Sequence, residues 1–242
     1  MKHWILGLLL LAPVSGVWAS GAEMHLDTAP VDVTNKASLQ RGAKFFVNYC
    51  LTCHSAEHAR FIRVGADLGL SPELVEKYLI FTDAKVRDHM KTTMLASDAT
   101  EWFGNAPPDL TLVARAKGAD YVYTYLRGFY LDDTRPFGVN NTVLHNAAMP
   151  HVLWRLQGWQ RPVFEEVEGK HQIERLELVE GSGLLTPEEY DRVVADLVNF
   201  LVYLSEPAQL ERKKIGIWVL FYLIVLGVLA YLLKKEYWKD VH

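Results

Sequence analysis

Residues 48–55 read NYCLTCHS and constrain this chain more than any other stretch. They hold its only two cysteines, Cys50 and Cys53, with His54 directly behind the second. Four chemistries use such a pair. In an exported protein two cysteines can close a structural disulfide. A C-x-x-C pair also serves as a thioredoxin-like redox dithiol, or as half of a zinc site. A four-ligand zinc site needs a second pair, and no further cysteine exists to supply it. The dithiol is chemically permitted but leaves the histidine without a role. The fourth chemistry employs all three residues: two thiols add across the vinyl groups of a haem as thioethers, and the next imidazole ligates the iron. On a helix, positions 50, 53 and 54 share a face, since i, i+3 and i+4 are neighbours. The motif is therefore read as the attachment site of one haem c, bound covalently through Cys50 and Cys53.

The ends of the chain agree with that chemistry. The N-terminus, MKHWILGLLLLAPVSGVWASGAEM, has a positive start at Lys2, an apolar run over residues 4–11, and small residues from Ala19 to follow. The run is too short for a spanning helix and is broken by Pro13, so residues 1–22 read as a secretory signal peptide cleaved between 19 and 22. Bacterial haem c attachment takes place outside the cytoplasmic membrane, which export supplies. Near the other end, IGIWVLFYLIVLGVLAYLL (215–233) contains no charge. At the helical rise it spans roughly 28 Å, close to the apolar thickness of a bilayer. Trp218, Tyr222, Tyr231, Tyr237 and Trp238 lie mostly toward its ends, as interfacial aromatics do. Basic residues flank it on both sides, so they do not set its direction. The signal peptide does, placing residues 23–211 outside as a haem domain and 234–242 inside as a short tail.

Between the ends there is room for one domain with its own core. The net charge of −4 argues against a nucleic-acid partner. The segment ASLQRGAKFFVNYCLTCHS carries helical spacing into the haem motif, with Ser38 as the expected N-cap and Gly42 offering close approach to another helix. SPELVEKYLI starts a second helix with Ser71 as cap and Pro72 at its first position. A third is expected over 118–130. TPEEYDRVVADLVNFLVYLSEP has a capping box, Thr186 with Glu189, and an apolar stripe of Val193, Leu197, Phe200, Leu201 and Leu204. VFEEVEGKHQIERLELVEG alternates around Glu168-Gly169 as a short hairpin does. Residues 161–191 hold nine acidic side chains against three basic ones. Such a run is usually a solvated face; its functional version is a docking surface for a basic partner.

The second axial position decides what a haem does: open, it binds gases or peroxide; filled by methionine, it gives an electron carrier of raised potential. The candidates are Met24, Met90, Met94 and Met149, with His145 and His151 as rivals. Met24 lies close to the new N-terminus, and Met90 and Met94, four apart, suit core packing. Met149 sits in GVNNTVLHNAAMPHVLW, whose asparagines and Pro150 mark a loop able to present a sulfur.

With those residues in view, the chain resembles the cytochrome c1 family over nearly its whole mature length. The matching pieces are CLTCHS, APPDLTLVARAKGADYVYTYLRGFY, NAAMPHVLW, and DLVNFLVYLSEP followed by ERKKIG and the anchor. The haem motif alone fits any c-type cytochrome; the order of pieces, with PPDL and one C-terminal anchor, is more specific. The resemblance implies a mainly α, class I cytochrome c-like head with a small β-hairpin insertion and one transmembrane helix. It implies His54 and Met149 as the iron ligands, Pro107 and Pro108 as a loop against the haem, and Arg115 as a partner for a haem propionate. It further implies an electron carrier rather than an enzyme in its own right. Its setting would be a dimeric quinol–cytochrome c reductase in a bacterial inner membrane. Cytochrome b and the Rieske iron–sulfur protein would be the companions and a c-type cytochrome the acceptor. Some relatives carry an extra disulfide in the head, for which this chain has no cysteines. Three alternatives stay in play: an anchored monohaem cytochrome serving a terminal oxidase or nitrite reductase, a tethered thiol–disulfide oxidoreductase, and a gas sensor or peroxidase with an open sixth site.

Overall fold

The structure is a computed structural model that describes residues 25–167 and 170–239. The signal segment 1–22, Met24, the expected hairpin turn at 168–169 and the last three residues of the tail lie outside the described residues. In chain order, α1 (Lys36–Phe45) runs on through a single π-helical turn (Phe46–Cys50). There follow β1 (Ala56–Arg60), α2 (Phe61–Leu68), α3 (Pro72–Leu79), β2 (His89–Met90), α4 (Ala96–Phe103), α5 (Val113–Lys117) and α6 (Ala119–Arg127). Then come β3 (Phe129–Leu131), β4 (Val139–Asn141), α7 (Trp154–Gln157), β5 (Gln160–Val167), β6 (Lys170–Leu178), α8 (Pro187–Ser205) and α9 (Gln209–Tyr237).

The centre of the head is the crossing of α1 with α8. Gly42 makes it possible: a Cβ there would lie 2.1 Å from the Asp196 carbonyl oxygen and 2.7 Å from the Phe200 Cβ. Around that contact Leu39, Phe46, Leu197 and Phe200 lose all exposure, each contributing about 2 kcal/mol by burial. Phe46 and Phe200 meet with ring centroids 5.6 Å apart. At the rim Arg41 grips Asp196 with two hydrogen bonds of 2.6 and 2.8 Å. A second helix, α6, is fastened to α8 by Arg127, which reaches both oxygens of Asp191 and also Asp27. The Tyr190 hydroxyl adds a bond to the Leu126 carbonyl at 2.8 Å.

Helix starts follow their signals with one correction. The Thr186–Glu189 capping box is formed in both directions, and the Ser71 hydroxyl accepts from the Leu74 N–H. The cap of α1 is Asn35 rather than Ser38: Asn35 accepts from the Ser38 N–H, while the buried Ser38 hydroxyl accepts from Asn199 inside the core. In α8 it is Val194 that is fully buried with Leu197 and Phe200, while Val193 is only half-buried. The helix expected over 118–130 ends at Arg127, because Phe129 and Tyr130 pair instead with Asn141 and Asn140 in a β3–β4 hairpin.

Among the described residues the sheets are three antiparallel pairs, β1–β2, β3–β4 and β5–β6. The last is the expected hairpin, with Val167 opposite Lys170, and it carries much of the acidic run. Among the described helices α9 alone is long and apolar enough to cross a bilayer, over Ile215–Tyr237. Its large apolar side chains all face outward, as those of a single-pass membrane anchor do. The architecture is thus mainly helical, with small hairpins and one C-terminal apolar helix.

Candidate functional site

The haem motif leaves α1 through the π-helical turn, where the Leu51 N–H bonds back to the Phe46 carbonyl at 2.9 Å. Such turns insert one residue into a helix and occur often at functional sites. The Cys50 carbonyl then accepts from the N–H groups of both Cys53 (3.0 Å) and His54 (2.8 Å). One tight turn therefore holds the two cysteines and the histidine together, as their spacing predicts. Both thiols are free. Cys50 is buried, and burial pushes its pKa up to about 12; the less buried Cys53 is raised by the same cause. These are protonated, sheltered thiols, opposite in character to the exposed low-pKa thiolate that disulfide exchange requires.

His54 is set by its neighbour across the site. Its Nδ1 lies 2.7 Å from the Pro108 carbonyl oxygen. A carbonyl only accepts, so Nδ1 carries the proton and the Nε2 lone pair is left for a ligand bond. Burial lowers the pKa of the ring, outweighing the opposing effects of the Pro108 bond and nearby Asp109. The imidazole is therefore the neutral, metal-binding form.

The Pro107–Pro108 loop is tied to the motif along its length. Asp109 receives the Glu57 N–H at 2.7 Å and the Thr111 N–H at 2.8 Å. The Leu110 N–H bonds to the Ser55 carbonyl at 2.8 Å, and the Thr111 hydroxyl accepts from the His58 N–H. On the other flank Thr92 donates its N–H to the Ser55 hydroxyl and its own hydroxyl to the Thr52 carbonyl. Sequence reasoning did not single out Asp109 or Thr92. Their bonds to the haem-motif segment cross 37 to 52 positions of chain, a separation that leaves no local signal.

The remaining candidates fall in different places. Met149 lies half-buried in the segment between β4 and α7. His151 is buried among aromatic rings: it stacks on Phe129 at 4.9 Å and 4°, with Trp159 edge-on, and neither ring nitrogen has a hydrogen-bond partner among the described residues. Burial drives the pKa of His151 down to about 4. His145 is exposed and bonds to Asn140. Met90 is fully buried in β2 and Met94 half-buried beyond it, so the two are not on one helix. Arg115 is exposed, and its guanidinium lies 3.4 Å from Glu206, a carboxylate that also pairs with Arg212. No hydrogen bond or ion pair among the described residues brings Arg115 to the His54–Pro108 pair.

This donor set fits a haem of the c type: two free thiols three residues apart, and a neutral imidazole with one nitrogen tied back. A haem-carrying head on a single apolar helix is a membrane-anchored cytochrome. The chain belongs to the cytochrome c1 family, whose model matches residues 27–241. It is 51% identical to cytochrome c1 of Allochromatium vinosum, each chain covered in full. It is 49% identical to a Nitrosomonas europaea protein named ammonia monooxygenase gamma subunit, over all of this chain and 99% of that one. Cytochrome c1 of Blastochloris viridis is 25% identical, over 96% and 93% of the two chains.

Proposed function

We propose that this chain is the electron-transfer subunit of a quinol–cytochrome c reductase (cytochrome bc1) complex. It takes one electron at a time from the Rieske iron–sulfur protein and passes it to a c-type cytochrome. The observation that carries the reading is the family match, which runs unbroken from before the haem motif through the anchor. Bound, the haem supplies a one-electron iron couple. Cys50 and Cys53 would hold it by thioether bonds, and His54 and Met149 would ligate its iron. His54 is aimed by the Pro108 carbonyl, which fixes which ring nitrogen is free. The Met149 thioether, a soft donor, would raise the potential and close the iron to outside ligands. Arg115 would be the cation for a propionate, in exchange for the Glu206 carboxylate that it meets at 3.4 Å. No substrate bond is made or broken by these residues, so the subunit alone is a carrier, and quinol oxidation belongs to cytochrome b and the Rieske protein.

The same reading sets the topology. Residues 1–22 are removed on export, 23–211 form the head on the periplasmic side of a bacterial inner membrane, 215–233 span the bilayer, and 234–242 lie in the cytoplasm. The complex is a dimer. Spectra of the purified membrane protein test the ligands: Met149→Leu is expected to keep its covalent haem, lose the methionine–iron charge-transfer band and fall in potential. An unchanged spectrum would move the sixth ligand elsewhere. The name of the Nitrosomonas relative favours a second reading, a monohaem cytochrome serving another membrane enzyme. Purification through a tag on this chain separates the two, since co-elution of cytochrome b is expected only from the first.

A further inference from the structure

The segment that delivers Met149 is closed by two buried asparagines. Asn140 and Asn141 are 0% and 1% exposed at the end of β4. The Asn140 Oδ1 accepts the N–H groups of Asn141 (2.9 Å) and Asn146 (2.8 Å). Its Nδ2 donates to Asp132 (2.8 Å) and to His145 Nδ1 (3.2 Å). Both lone pairs and both hydrogens of that amide are thus in use. The Asn141 Oδ1 accepts the N–H groups of Val143 (2.8 Å) and Leu144 (3.2 Å), while its Nδ2 donates to the Tyr125 carbonyl of α6 at 2.8 Å.

These bonds do two things. They give partners to four backbone N–H groups, those of Asn141, Val143, Leu144 and Asn146, of which Asn141 and Val143 belong to buried residues. They also fix the path of residues 140–146 against α6 on one side and the β3–β4 hairpin tip on the other. The segment ends at Asn146, the one non-glycine described residue with positive φ (63°), a conformation asparagine tolerates and a β-branched residue does not. From there Ala147 is buried and Pro150 restricts the backbone of Met149 before it.

We propose that Asn140 and Asn141 are positioning residues for the sixth ligand. They order the segment in advance, so the Met149 thioether meets the iron without paying the entropy of fixing a free loop. The thioether is a weak ligand; holding its backbone keeps it on the metal and keeps small ligands off. This rests on Met149 being the axial methionine.

The test is carbon monoxide binding to the ferrous full-length protein, alongside haem content, helix content and the methionine–iron band. The rate of carbon monoxide binding follows the fraction of molecules with the sulfur off the iron. Asn141→Ala and the exposed Asn146→Val are each expected to raise that rate about tenfold, with covalent haem and helix content unchanged. Asn141→Ser, whose hydroxyl can accept the turn N–H groups, and Asn146→Gly, which tolerates positive φ, are expected to restore slow binding. Should Asn141→Ala fail to fold, Asn146→Val carries the test alone, because its side chain is outside the core. Wild-type rates in all four variants would overturn the proposal while leaving Met149 ligation standing. A wild type that lacks the methionine–iron band, or a Met149→Leu protein that keeps it, overturns both readings together.

Discussion

Asp109 shows how much a single side chain can hold at this site. Burial by itself would raise its pKa, but the hydrogen bonds from Thr111 and from the Glu57 N–H outweigh burial and leave the carboxyl below its ordinary value. A carboxylate whose folded pKa is depressed adds stability that is complete above the unfolded pKa, near 4, and is lost as pH falls through the folded value. The melting temperature of the wild type is therefore expected to fall more steeply between about pH 5 and pH 3 than that of Asp109→Asn, which has no charge to lose. Parallel curves from a pH series of thermal melts would show that the carboxylate is not a fastening of this loop. At this scale Cys50, Cys53 and His54 could be singled out by their spacing, and one tight turn does bring their backbones together. Met149 was one of several candidates until the resemblance favoured it. The partner of Arg115 was not legible at all, since Glu206 stands far along the chain and nothing local connects them.

Among the elements, the α1–α8 crossing sets the tolerance of the head to change. Gly42→Ala drives a methyl group into the backbone of α8, where no side chain can rotate away. The expected loss is about 3 kcal/mol in denaturant unfolding of the haem-loaded protein, read as a lower midpoint with an unchanged slope. A gentler break is Thr186→Ala, which removes one arm of the capping box and is expected to cost about 1 kcal/mol by the same measurement. Helices with a cap and a full apolar period could be read from sequence, as with Pro72–Leu79 and Pro187–Ser205. What escaped was decided by tertiary pairing. Ser38 has the right chemistry for a cap but is claimed by Asn199 from α8. Phe129 and Tyr130 continue a helical pattern, yet the chain turns at Gly128 and pairs them with β4. Strands as short as β2, two residues long, offer no alternation to read.

The described residues divide into a helical head and an apolar span, Ile215–Tyr237, that is 0% buried against it. Ending the chain after Arg212 is accordingly expected to move the haem protein from the membrane to the soluble fraction on cell fractionation, with its spectrum retained. Retention in the membrane would locate a second attachment in the head itself. The anchor was legible from composition, while its direction came only from the N-terminal segment. The neck between the two parts is short: Glu206, Pro207 and Ala208 alone separate α8 from α9. The Glu206 N–H bonds back into α8, and its carbonyl accepts from the Gln209 N–H. Arg115 and Arg212 both pair with its carboxylate. A tether with so little slack makes the head a fixed station beside the bilayer. On the function proposed above, the donor and the acceptor would do the commuting, and the traffic would be set by their arrivals and departures.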